Sequence, residues 1–276
     1  MNNFLLRTLS AVVFTAVMVF GIIWDRMLFA ALFLFIMFKA LKEFYAISLG
    51  DKYKLQQGLA LTTGCIAFVV LCGHFFYGLS LQWLALALVP VMLIPLISVF
   101  YGVPEDYDQM GLVYLGLIYI SLPVCLIPSI MMNGATYDGW LLLSMMIVVW
   151  LTDVGAYCVG TLLGQKPNSR KLAPEISPKK SWWGFAGGVL MGVLSGLVMH
   201  LIGWMPFPLV HCLVIGLLMS VGGICGDLFE SQWKRRFGVK DSGSFMPGHG
   251  GMLDRFDSQF VAVPLAIAYL YLTNLM

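Results

Sequence analysis

Charge is scarce in this sequence: Asp, Glu, Lys and Arg make up 11% of its 276 residues, less than half the share of about 25% found in an ordinary soluble domain. With 60% of residues hydrophobic, such a composition excludes a water-exposed globular surface and a charged disordered chain, and points to lipid as the solvent. Cysteine chemistry is thin as well. Cys65, Cys72, Cys125, Cys158, Cys212 and Cys225 stand singly in apolar stretches, with no CxxC pair and no His at zinc-ligand spacing. That excludes a zinc module or a thiol redox motif and leaves small packing residues. A Walker A loop is missing too: Gly160-Thr161-Leu162-Leu163-Gly164-Gln165-Lys166-Pro167 has the wrong spacing and no hydroxyl after its lysine, which excludes the P-loop mechanism. No internal repeat or low-complexity tract is present, which argues against an inverted-repeat transporter. A net charge of +2 gives no reason to expect a nucleic-acid partner.

What the chain does have is a succession of apolar runs, each about 20 residues and long enough to cross a hydrocarbon core about 30 Å thick as a helix. Nine are expected, near 4–24, 27–47, 57–78, 81–101, 110–132, 139–160, 182–203, 206–227 and 257–275. Backbone exposed to lipid must satisfy its own hydrogen bonds, so the fold class is all-α and polytopic. The first run lacks a small-x-small cleavage site and passes through Asp25 and Arg26 into the second, so it is read as a retained span.

The basic residues set the orientation. With nine spans, Arg7, Lys39, Lys42, Lys52 and Lys54, then Lys166, Arg170, Lys171, Lys179 and Lys180, then Lys234, Arg235, Arg236, Lys240 and Arg255 fall on one side; of the 16, only Arg26 lies opposite. The bias predicts that this face and the N-terminus are cytosolic and the C-terminus is outside. The expected setting is the inner (cytoplasmic) membrane of a bacterium. Two long cytosolic loops, 161–181 and 228–256, hold ten of these basic residues, so water-soluble chemistry is expected there. The chain accordingly divides into N-terminal transmembrane helices (1–140) and a C-terminal catalytic region (141–276).

Acidic residues are placed unusually. Asp153 and Tyr157 are four apart and share one helical face inside the sixth apolar run. Asp153 sits about seven residues before the cytosolic end, roughly 10 Å deep at 1.5 Å per residue. A carboxylate at that depth is costly unless paired, metal-bound or facing water. A hydrogen bond to a neighbouring helix is the plainer alternative. Asp227 and Glu230 are three apart at the cytosolic end of the eighth run, and Asp254 and Asp257 repeat the spacing at the start of the ninth. All would lie at similar depth. Hard divalent cations such as Mg²⁺ take oxygen ligands and are usually held by one or two carboxylates plus substrate phosphates. Asp153, Asp227, Glu230, Asp254 and Asp257 therefore form a candidate metal set, although Asp257 could instead be a charge favoured by a helix N-terminus.

Around these acids lie groups suited to phosphate: Lys234, Arg235, Arg236 and Lys240, then Pro247-Gly248-His249-Gly250-Gly251, whose glycines let backbone N–H groups approach an anion. The other loop adds Lys171-Leu172-Ala173-Pro174 and Ser177-Pro178-Lys179-Lys180-Ser181-Trp182. Lysines beside a membrane also bind lipid headgroups or set topology. His249 is a candidate phosphate donor or general acid, or simply a loop residue.

The run Ser231-x-x-Lys234-Arg235, four residues, Lys240-Asp241, then Pro247-x-His249-Gly250-Gly251-x-x-Asp254-Arg255-x-Asp257 resembles the signature of the phosphatidate cytidylyltransferase family. The likeness extends upstream to Asp153–Tyr157, Lys171–Pro174 and Ser177–Trp182, covering roughly 147–258. Trp233 and Met246 depart from the commonest pattern, and residues 1–140 match only as hydrophobic spans. The resemblance implies an all-helical membrane enzyme that makes CDP-diacylglycerol and pyrophosphate from CTP and phosphatidic acid, requires Mg²⁺, and forms a homodimer with a second, monovalent cation near the Mg²⁺.

On that basis Asp227 and Asp254 are expected to hold Mg²⁺ between the substrates. Asp257, Glu230 and Asp153 would complete its surroundings. Asp227, Asp254, Asp257 and His249 form the expected catalytic set. Lys171, Lys179, Lys180, Lys234, Arg235, Lys240, Arg255, Ser231, Gly250, Gly251 and Tyr157 form the expected substrate-binding set. The lipid's acyl chains would enter sideways between helices from the cytosolic leaflet, and membrane lipids are further expected partners. A CTP-dependent lipid or polyprenol kinase is the near alternative, and a cation-coupled transporter a distant one.

Overall fold

The computed structural model describes residues 3–101, 107–166, 168–246 and 250–276. A helix overlies each of the nine expected runs. Among the described residues five are long and apolar enough to cross a membrane: Lys54–Tyr77, Gln109–Ile130, Trp140–Leu162, Trp182–Leu201 and Leu209–Arg236. Shorter apolar helices cover Thr8–Ile23 and Leu81–Ile97. The protein is an all-α polytopic membrane protein, with two small hairpins that its composition did not foretell.

The chain forms two compact units. The first comprises Met1–Asp138 together with Asp241–Arg255. It holds α1 (Asn3–Ile23), α2 (Arg26–Ser48), α3 (Lys54–Tyr77), α4 (Ala85–Tyr101), α5 (Tyr107–Gly116) and α6 (Leu122–Leu126). A hairpin of β1 (Met132–Asn133) and β2 (Thr136–Tyr137) follows. Asp25 starts α2 by accepting a hydrogen bond from the Met27 N–H at 2.7 Å, which satisfies one of the four amides that a helix start leaves without partners. The core is aromatic: Phe29 packs against Phe33, Phe68, Phe76 and Tyr137 with centroids 4.7 to 6.4 Å apart. The Tyr137 hydroxyl donates to the Ile22 carbonyl, so the ring packs half-buried while its polar end is satisfied.

The second unit comprises Gly139–Lys240 and Phe256–Met276. Its helices are α7 (Trp140–Leu162), α8 (Trp182–Leu201), α9 (Leu209–Arg236) and α11 (Gln259–Leu272). The short α10 (Leu253–Phe256) lies where the chain passes from one unit into the other. The hairpin of β3 (Lys171–Ala173) and β4 (Ser177–Ser181) lies between α7 and α8. Packing rests on small residues. A Cβ at Gly188 would stand 3.1 Å from both the Ala156 Cβ and the Thr152 carbonyl, and one at Gly216 2.6 Å from the Gly192 carbonyl. In lipid, where apolar burial drives little between helices, such backbone-to-backbone approach supplies the dispersion contacts that hold helices together.

Two expected boundaries move. The eighth run was expected to end near 227, but α9 continues to Arg236, so Lys234, Arg235 and Arg236 sit on a helix instead of a loop. Glu230 and Lys234 one turn apart, and three cations at the helix C-terminus, favour that continuation. The segment Asp241–Arg255, expected with the C-terminal region, packs in the first unit.

Candidate functional site

In the second unit, α7 carries a polar stripe. Asp153, Tyr157, Thr161 and, just past the helix, Gln165 recur every four residues, a spacing that holds side chains near one face. They line a cavity of about 600 Å³ together with Ala156, Gly160, Leu172, Lys179, Lys180, Ser181, Gly184, Phe185, Ile224 and Asp227. That volume lies within the roughly 300–1,000 Å³ typical of small-molecule sites, and an apolar wall with a few polar groups is their usual make-up.

The hairpin delivers the lysines. Lys171 pairs with Ser181 and Ala173 with Ser177, so a single residue, Leu172, stands opposite Pro178, Lys179 and Lys180. The surplus makes a bulge, which turns side chains out of the regular alternation. Pro178 is suited to it because it has no N–H to give a ladder. β4 then runs directly into α8, whose first turn is capped by the Ser181 hydroxyl accepting from the Gly184 N–H at 3.1 Å. Lys180 Nζ lies 2.5 Å from Asp227 Oδ2. It is buried and makes no hydrogen bond beyond that ion contact, although an ammonium has three donors.

Asp227 is also bonded on its other oxygen, where Ser231 Oγ donates at 3.2 Å. One turn on, the fully buried Glu230 accepts from Lys234 Nζ at 2.7 Å. Asp257 joins these acids because Gly226 lets the last stretch of chain come close: a Cβ at Gly226 would be 2.6 Å from the Asp257 carbonyl and 3.2 Å from Ser258 Cα. Asp257 lies within electrostatic reach of Asp227 and Glu230. Among the described residues no three His, Cys, Asp or Glu form a closed metal cage. A cation held by one or two carboxylates plus substrate phosphates needs no such cage. Asp227 and Asp257, in mutual electrostatic reach, fit that need.

The other expected basic residues are occupied differently. Lys171 Nζ donates to the Gly164 carbonyl and to Gln165 Oε1, both at 2.9 Å, closing the end of α7. Gln165 in turn donates to the Lys179 carbonyl at 2.8 Å. Arg235 reaches the Ile176 and Val239 carbonyls at 3.5 and 3.4 Å, and Lys240 is exposed. None of Lys171, Lys234, Arg235 and Lys240 is part of the cavity lining.

In the first unit, Asp254 Oδ2 accepts three hydrogen bonds: from the Ser242 N–H at 2.8 Å, Ser242 Oγ at 2.9 Å and the Gly251 N–H at 2.7 Å. Gly250 has φ +83°, and a Cβ there would collide with the Asp254 carboxylate. Both the left-handed backbone and the close approach require glycine. Arg255 Nε is buried and makes no hydrogen bond. His249, with Pro247 and Gly248, lies outside the described residues.

Sequence reading overlooked Thr161, Gln165, Ser242 and Glu43. The first two continue the four-residue spacing of Asp153 and Tyr157, a signal available in the sequence. Glu43 Oε2 accepts from the Leu253 N–H at 2.9 Å and from Ser242 Oγ at 3.2 Å; no local pattern announces a partner 200 residues away.

The sequence profile of the cytidylyltransferase family matches residues 5–273. A phosphatidate cytidylyltransferase of Bacillus subtilis is 39% identical over 195 residues, 69% of each chain. One from Rickettsia bellii is 34% identical over 230 residues, 78% of this chain and 91% of that protein. One from Staphylococcus epidermidis is 48% identical over 119 residues, 43% of this chain and 44% of that protein.

Proposed function

The chain belongs to the cytidylyltransferase family, and we propose that it joins CTP to phosphatidic acid, releasing pyrophosphate and leaving CDP-diacylglycerol. It is an integral membrane nucleotidyltransferase. The observation that carries the site assignment is Lys180: a buried ammonium, held by one contact to Asp227, on the wall of a cavity that also contains Asp153 and Asp227. Its unfilled donors suit a phosphate oxygen.

The reaction brings two anions together. An oxygen of the lipid phosphate attacks the α-phosphorus of CTP, a new P–O bond forms, and the bond from the α-phosphorus to the β-phosphate oxygen breaks. The lone-pair charge departs on pyrophosphate. No covalent intermediate on the protein is needed, so positioning and charge stabilisation supply the rate. Asp227 and Asp257 would hold Mg²⁺, which would supply neutralisation of the converging phosphates; Asp254 is read as a carboxylate that serves the reaction, on the family signature that carries it. Lys180 would exchange Asp227 for a phosphate oxygen as substrate binds. Lys179 lies beside it on the same hairpin, and Tyr157 and Thr161 offer hydroxyls along the stripe. The apolar residues Phe185, Leu172 and Ile224 would face the glyceride. The site is assigned to the cytosolic face on the distribution of basic residues.

The test uses purified protein, phosphatidic acid, Mg²⁺ and CTP labelled at the α-phosphorus. Label moving into the lipid, with pyrophosphate in the water phase, supports the proposal. Labelled CDP in the water phase and no label in lipid would overturn it in favour of phosphoryl transfer.

A further inference from the structure

One face of α2 meets the segment Asp241–Arg255 at three successive turns. The Phe35 ring lies 5.8 Å from the Phe245 ring, Lys39 Nζ lies 5.3 Å from the centre of the same ring, and Glu43 reaches Ser242 and Leu253. Residues 35, 39 and 43 are four apart, so they form one stripe. The contacts of Glu43 concentrate around Asp254. Its Oε2 accepts from the Leu253 N–H, immediately before Asp254, and from the Ser242 hydroxyl, which also bonds Asp254 Oδ2. Gly251, whose N–H donates to Asp254, could not carry a Cβ without meeting both Glu43 Oε2 and Ser242 Oγ.

We propose that Glu43 is a positioning residue for the cytidylyl transfer, fixing the Ser242 and Gly251–Leu253 backbone that aims the Asp254 carboxylate, with Phe35 and Lys39 seating the same segment. The inference rests on the reading that Asp254 serves the reaction. It gives the N-terminal half of the chain a part in catalysis beyond spanning the membrane. The physical reason is geometric. Asp254 Oδ2 takes three hydrogen bonds from Ser242 and Gly251, and both of these abut Glu43. Loosening one carboxylate on α2 therefore loosens the donors of these three bonds to the other. A displacement of about 1 Å at a catalytic group can cost on the order of a hundredfold in rate.

The experiment compares wild type, Glu43→Ala, Glu43→Gln and Asp254→Asn in detergent or nanodiscs. Turnover is measured with CTP and Mg²⁺ titrations, and amide hydrogen exchange is measured without substrate. Glu43→Ala should lower kcat by about tenfold or more, with KM for CTP within about twofold. It should also raise the Mg²⁺ concentration for half-maximal rate several-fold. Amides of Ser242, Gly251 and Leu253 should exchange about tenfold faster while those of α7 and α9 stay unchanged, the signature of a local opening. Glu43→Gln keeps an acceptor for the Leu253 amide and should fall between; if Glu43→Ala fails to fold, this variant carries the test.

Unchanged exchange in 241–255, or kcat within twofold of wild type, overturns the inference. If Asp254→Asn is inactive while the Glu43 variants are normal, only the positioning role fails. If Asp254→Asn keeps wild-type turnover, the reading of Asp254 fails, and the positioning role with it.

Discussion

The two units hold their acids in opposite ways. In the first, Asp254 is gripped by neutral donors, two backbone amides and a hydroxyl. In the second, Asp227 faces Lys180 and Glu230 faces Lys234. Amides cannot leave, so the first arrangement fixes a carboxylate in place. A lysine is a point charge on a flexible stem, so the second arrangement stores a cation that a phosphate can claim. One region holds a fixed anion and the other an ion pair that a phosphate could open.

The sharpest test of this contrast replaces each charge. Asp254→Asn keeps an amide oxygen to accept the same three hydrogen bonds, so thermal stability should change little while kcat falls by about a thousandfold or more. Asp227→Asn should lower kcat comparably but also strip Lys180 of its counter-ion, raising the affinity for pyrophosphate. Equal pyrophosphate affinity in the two variants, measured by product inhibition, would erase the distinction. Next in size is the buried pair. Glu230→Gln leaves the nearly buried Lys234 ammonium facing a neutral amide and should destabilise the protein by about 3–5 kcal/mol. Adding Lys234→Met should recover much of that loss in a denaturation midpoint; no recovery would mean the two residues do not act as a pair. Lys180→Ala should reduce kcat/KM for CTP by about ten- to a hundredfold, or about 1.4–2.8 kcal/mol, with a shallower dependence on salt. Smallest is Ser231→Ala, which removes one hydrogen bond to Asp227. A change of about two- to twelvefold in kcat is expected, since such a bond contributes about 0.5–1.5 kcal/mol.

Legibility in the sequence followed the range of the interaction. Helices were legible because each apolar run carries its own signal, and so were the registers of Asp153 with Tyr157 and of Asp227 with Glu230, which depend only on 3.6 residues per turn. The extension of α9 to Arg236 was missed because its last turns are polar and are held by local charge instead of hydropathy. The β3–β4 hairpin was missed because Ser-Pro-Lys-Lys-Ser has neither β-branched residues nor alternation; only its pairing with Lys171–Ala173 makes it a strand. Glu43 and Ser242 were invisible for the opposite reason, since each is ordinary locally and acquires meaning from a partner about 200 positions away. The roles assigned to the acids and lysines came from residue type and family likeness, and the variants above are what decides them.

The bulge opposite Leu172 has a further consequence. Trimming Pro178 and Lys179 would leave one residue facing one, a tidier ribbon with every rung in place. Such a chain should fold at least as well, yet the ammonium facing Asp227 would be re-aimed. A regular ribbon and the aim of that ammonium thus pull on the same two residues in opposite directions.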